Sequence, residues 1–71
     1  METLGELLKA KRTERCLYQK EVAKELGITT PYYNFMEHDK VYSYDPKTLK
    51  AIAKFLNIST EEVRKHIPTK R

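Results

Sequence analysis

The 71-residue chain holds one cysteine, two glycines and no tryptophan. It also lacks any apolar run approaching the roughly 18 residues that a membrane-spanning helix needs. A lone Cys16 excludes an internal disulfide and a multi-thiolate metal site, and neither His38 nor His66 stands at zinc-ligand spacing from it, so no metal or other cofactor is expected. Cys16 reads as a small, partly buried residue at a helix end, in preference to a redox centre or nucleophile. The N-terminal stretch METLGELLKAKR lacks the basic-then-apolar order of a signal peptide, and a soluble cytoplasmic protein is expected. No acid, base and nucleophile cluster at a useful spacing, and so small a chain has little room for a deep pocket; an enzyme is not expected.

What the chain does contain is charge and helical periodicity. Fourteen Lys and Arg against ten Asp and Glu give a net charge of +4, which suits a polyanionic partner without requiring one. Only 39% of the residues are hydrophobic, so any core must be compact in a chain this close to the lower size limit for unaided folding.

Five helical stretches can be read, with no strand signal of comparable strength. The first runs over 3–15, with Leu4, Leu7 and Leu8 at helical spacing, and Leu17 is an apolar link. The second starts at Tyr18 or Gln19 and ends at Gly27, a residue that tolerates the left-handed conformation of a helix C-terminus. Thr29 is a good N-cap for the third, with Pro31 in its first turn where no backbone N–H is missed. Residues 39–44 form a loop. Asp45 and Pro46 announce the fourth helix, whose buried stripe is Leu49, Ile52, Ala53 and Leu56. Ser59 and Glu62 have capping-box spacing for a fifth helix that buries Val63 and Ile67, and Pro68 ends it. The expectation is an all-α, compact bundle of five short helices over 1–68, with a short basic tail at 69–71.

The segment from Gln19 to His38 carries the most information. Val22, Ala23 and Leu26 give one helix an inner face, Gly27 permits a sharp turn, and Ile28, Tyr33 and Met36 supply the inner face of the next. This is the layout of a helix-turn-helix, whose second helix enters the DNA major groove. The chain resembles the phage-repressor family, the lambda-repressor-like or Cro-type group, over nearly everything from Leu4 to Ile67. The shared features are a leading helix ending in Lys11 and Arg12, the Gln19, Ala23, Gly27 signature, Glu37 and Lys40 after the third helix, and the closing TLKAIAKFLNISTEEV. The resemblance implies a dimer on a two-fold-symmetric operator. It also implies that Gln19 holds a DNA phosphate and braces the third helix, and that Arg12 and Glu37 form an ion pair tying the first helix to the third. Cys16 stands where the family usually has glycine, and Tyr18 where it usually has a Ser or Thr N-cap.

At about 100° per residue, Tyr33, Met36 and Glu37 fall on the inner side of the third helix. Thr29 and Thr30 at its tip, with Pro31, Asn34, Phe35 and His38, are the base-reading candidates. Tyr18, Gln19, Lys20, Tyr32, Lys40 and Lys47 are the candidates for backbone phosphates. No Lys or Arg occurs from Ile28 to His38, so the commonest guanine contact is missing from this helix; Asn34 can pair with adenine, and A·T-rich half-sites are expected. Dimer contacts are expected from Tyr44, Glu62, His66 and Ile67. These features point to a sequence-specific transcriptional regulator acting as a homodimer, a repressor in the first instance. The runner-up reading is an antitoxin-like or partner-sequestering module on the same fold, docking a protein through Tyr32 and Phe35.

Overall fold

The computed structural model describes residues 2–69, so Lys70 and Arg71 of the expected tail lie outside the described residues. Five helices follow one another: α1 (Leu4–Glu14), α2 (Gln19–Leu26), α3 (Thr30–Glu37), α4 (Pro46–Leu56) and α5 (Thr60–His66). The described residues contain no strand, and none of their helices is long and apolar enough to cross a membrane.

Each helix starts where a side chain can accept an orphan N–H. Thr29, Asp45 and Ser59 cap α3, α4 and α5 by accepting from Tyr32, Thr48 and Glu62. Pro46 and Pro31 sit in first turns, where their missing N–H is harmless. The full capping box belongs to α1: Thr3 accepts from the Glu6 N–H, and Glu6 accepts from the Thr3 N–H at 2.9 Å. At α5 only half of the expected box forms, because the Glu62 carboxylate accepts from Lys65 at 3.3 Å. Tyr18 provides no side-chain cap for α2; Glu21 reaches back to the Tyr18 N–H at 2.8 Å instead.

The helix ends show how a chain with two glycines turns so often. Cys16, Gly27, Asp39 and Asn57 all have φ between 57° and 75°. After each, the next N–H returns five residues back: Leu17 to Arg12, Ile28 to Ala23, Lys40 to Phe35 and Ile58 to Ala53, at 2.9–3.0 Å. This is the left-handed closure of a helix C-terminus, and only at Gly27 is it free of Cβ strain. The expectation of a partly buried Cys16 is corrected: the residue is exposed, because the left-handed turn points it outward.

One core joins all five helices: Leu4 and Leu8, Val22 and Ala23 with Leu26, Tyr33 and Met36, the α4 stripe, and Val63. Phe55 belongs to it as well, although it lies off the stripe read from the sequence, and Arg15 stacks on its ring with the guanidinium carbon 5.3 Å from the centroid. Ile67 is only partly buried.

α1 meets the end of α3 by an unusually close approach. A Cβ on Gly5 would lie 2.5 Å from the Glu37 carbonyl oxygen and 2.8 Å from that of Met36. Asp39, in the turn after α3, accepts from the Gly5 N–H at 3.0 Å and from the Thr3 hydroxyl at 2.6 Å. A carboxylate thus sits on the positive end of α1 while fastening α3 to it.

Two glycine exchanges are expected to have opposite signs. Gly5→Ala must push backbone away from backbone and should destabilise by about 2 kcal/mol or more. Cys16→Gly relieves a left-handed non-glycine residue and should stabilise by about 0.5–1 kcal/mol. Urea unfolding of both variants checks the pair, and a stable Gly5→Ala protein would show that α1 does not need this approach.

Candidate nucleic-acid interface

α2 and α3 meet across the turn of Gly27, Ile28 and Thr29, and α3 packs its inner face on α1 and α2. Tyr33 is fully buried, Met36 nearly so, and the Glu37 side chain is 3% exposed. The opposite face is open: Thr29, Thr30, Pro31, Phe35 and His38 are exposed, and Asn34 is partly buried at its α2 edge.

The network that holds this helix is built on charge. Arg12 grips Glu37 with two nitrogens, Nε at 2.6 Å and Nη2 at 3.3 Å, while its Nη1 donates to the Leu17 carbonyl oxygen at 3.1 Å. Gln19 donates through Nε2 to Glu37 and to the Asn34 side-chain oxygen, both at 3.1 Å. Burial alone would raise the Glu37 pKa, but the hydrogen bonds from Arg12 and Gln19, with the Tyr33 hydroxyl close by, outweigh it and hold the carboxyl below its ordinary 4.5. The Arg12 pKa is raised in turn, chiefly by its hydrogen bond to Glu37.

The other candidates fall into place around this centre. Tyr18 is 71% exposed, with the Lys20 ammonium 5.9 Å from its ring centroid. Lys20, Lys40 and Lys47 are exposed and make no ion pair among the described residues. His38 ends α3 and turns its Nδ1 back onto the Asn34 carbonyl oxygen at 2.8 Å.

Two groupings read from the sequence are not assembled as expected. Tyr32 is partly buried against the core, and burial, followed by the charge of Asp45, raises its pKa, so it forms no open aromatic pair with Phe35. Phe35 alone is half exposed. Tyr44 is also packed inward, beside Tyr32 and Asp39, and burial is the main cause of its raised pKa. In contrast, Glu62 is exposed, and His66 Nδ1 lies 2.8 Å from the Glu2 carbonyl oxygen.

Thr3, Gly5 and Asp39 were missed as parts of the frame. The Thr3 and Glu6 spacing was a visible capping signal; the long-range partner Asp39 left no local one.

A short helix braced on its inner face and open on its outer one, following a tight glycine turn, defines a helix-turn-helix DNA-binding fold. The helix-turn-helix family model matches residues 8–63, and the chain belongs to that family, in its lambda-repressor and Cro-like form. It is also similar to the "ImmF control region 10 kDa protein" of Bacillus phage phi105, with 42% identity over 55 residues. That alignment covers 78% of this chain and 60% of the phage protein, so the chain spans less than two thirds of that relative's length. No solved structure matches the chain significantly.

Because the Glu37 pKa is lowered on folding, its ionisation stabilises the fold above the unfolded-state pKa near 4.5, and that contribution disappears as pH falls through the lower folded value. Glu37→Gln should therefore destabilise by about 3 kcal/mol at pH 7, since it leaves Arg12 partly buried without its charge partner. The deficit relative to the parent chain should shrink below pH 4. Urea unfolding at pH 7 and pH 3 measures this, and a deficit that does not change with pH would assign the loss to packing.

Proposed function

We propose that the chain is a sequence-specific regulator of transcription, a repressor, that acts in the cytoplasm by placing α3 in the DNA major groove. The observation that carries this reading is the outer face of α3, open to solvent while Arg12, Glu37 and Gln19 hold its inner edge. An α-helix is about 10–12 Å across with its side chains, which suits a major groove about 12 Å wide. Thr29, Thr30, Pro31, Asn34, Phe35 and His38 face base edges in this reading. Tyr18, Gln19, Lys20, Tyr32, Lys40 and Lys47 take phosphates, Gln19 through its backbone N–H at the start of α2 because both hydrogens of its NH2 group are used; the Tyr32 hydroxyl, with its raised pKa, stays a donor.

The described residues measure 30 × 23 × 22 Å and present one α3, whereas successive major grooves on one face lie about 34 Å apart. Two copies on a near-palindromic operator therefore accompany the proposal, with Glu62, His66 and Ile67 as contacts and Tyr44 supporting the loop before α4. The phage relative's name, a control-region protein, is in keeping with a regulatory role. The half-exposed Phe35 favours a second reading, in which the same fold captures a protein partner.

Selection by the full chain from a random pool of duplex oligonucleotides should enrich a near-palindrome whose half-sites are centred about one helical turn apart. Affinity for it should fall steeply with salt as phosphate counterions are released. A pool without enrichment, or an affinity indifferent to salt, would remove the DNA reading. Phe35→Ala separates the two readings: lost partner capture with intact DNA affinity would favour the second.

A further inference from the structure

The charge of Glu37 determines how Asn34 faces outward, acting through the amide of Gln19. An ionised carboxylate only accepts hydrogen bonds, so the end of Gln19 that meets it must be the NH2 group. That NH2 carries two hydrogens. One goes to Glu37, and the other, from the same nitrogen, meets Asn34 at 3.1 Å, which requires Asn34 to turn its oxygen inward. The Asn34 NH2 group is then left on the open side of α3, and it makes no hydrogen bond among the described residues. The lowered pKa of Glu37 keeps the first step of this sequence in place at neutral pH.

The geometry points to Glu37 and Gln19 as positioning residues that make Asn34 a fixed hydrogen-bond donor, reading the O6 and N7 acceptors of guanine. This inference rests on the DNA-binding reading above and deepens it. An asparagine free to rotate pairs bidentately with adenine, accepting from N6 and donating to N7. With its oxygen held by Gln19, Asn34 lacks the acceptor that adenine N6 needs at full strength. Guanine offers two acceptors side by side on its major-groove edge, and both suit an NH2 group. Asn34 would thus supply, without a positive charge, the guanine contact that α3 lacks for want of Lys or Arg. The preference is opposite to the adenine pairing that the isolated residue type suggests.

Three full-length chains test this in the random-pool selection: the parent, Asn34→Ala and Gln19→Leu. Asn34→Ala should lose, by roughly tenfold or more, the preference for guanine at one base pair of each half-site, with the other positions unchanged. Gln19→Leu keeps the backbone N–H that meets a phosphate, and both hydrogens of the lost NH2 group are used inside the fold, so no phosphate contact goes with it. At that same base pair this variant should accept adenine as well as guanine, since the freed Asn34 can rotate. A role in fold stability alone would not shift the preference at a single position.

An Asn34-dependent position occupied by adenine in the parent site overturns the inference, as does an unchanged preference in Gln19→Leu. A uniform loss across sequences in Asn34→Ala would make Asn34 a phosphate contact and overturn it as well. The amide sequence is also read without DNA, from the Gln19 side-chain NH2 signals in nitrogen-resolved NMR. Both hydrogens should be shifted and slow to exchange in the parent, and one should lose protection in Asn34→Ala. Unprotected Gln19 hydrogens in the parent overturn the inference alone. Protected hydrogens with no enriched sequence would instead sink the DNA reading on which it rests.

Discussion

The pairing of Arg12 with Glu37 is the constraint around which the rest of the molecule is arranged. A glutamate side chain with 3% of its surface exposed is tolerable only if every oxygen is engaged, and its partners come from two other helices. Arg12 belongs to α1, Gln19 to the start of α2, and Glu37 to the last turn of α3. The same guanidinium holds the Leu17 carbonyl oxygen, so the link between α1 and α2 is anchored by the group that anchors α3. Replacing such a pair with well-fitted apolar residues is often neutral or stabilising. Its contribution is then mainly registry: it sets how far α3 is rotated about its axis, and so which residues face outward.

A second clamp acts on the same end of α3 from a different direction. Gly5 lets the first turn of α1 come against the last carbonyl groups of α3, and Asp39 closes the gap by accepting from Thr3 and Gly5. The N-terminal pole of one helix thereby meets the C-terminal pole of another, a favourable arrangement of their dipoles. Both clamps hold the C-terminal half of α3. Its N-terminal half is fixed by the Thr29 cap and by Tyr33 and Tyr32 packed on the core, which leaves Thr30, Pro31 and the outer edge free of structural duties.

Much of this architecture was legible in the sequence because it is local or periodic. Leu4 and Leu8, the α2 and α4 stripes, Gly27, and the caps at Thr29, Asp45 and Ser59 are short-range signals, and each appears in the structure as a helix face or end. What escaped was long-range or unconventional. Cys16, Asp39 and Asn57 adopt left-handed φ in place of glycine, so residue type did not mark those turns by the usual sign. Asp39 bonds residues 34 and 36 positions away, which no local pattern announces. Phe55 is buried one step off its stripe, in the common core, with Arg15 stacked on its ring. On the candidate interface, residue type identified Asn34 and Gln19 as polar groups, but the direction of each amide follows from a charge on another helix.

The distribution of charge then bears on how such a surface would work. The lysines available for phosphates, Lys20, Lys40 and Lys47, lie off α3, which itself carries no cation. In the proposed function, attraction to the duplex and discrimination among bases therefore fall to different residues. Counterion release driven by the lysines is insensitive to sequence. A neutral reading face adds little non-specific attraction of its own, so what it gains on a correct site comes from hydrogen bonds and apolar contacts that a wrong site does not return. With a net charge of only +4, a single copy has modest non-specific hold, and in the proposed dimer the joining of two copies on one operator would turn weak, neutral reading into tight binding. The inner network matters most under those conditions, because neutral donors discriminate only if their orientation is decided before the DNA arrives.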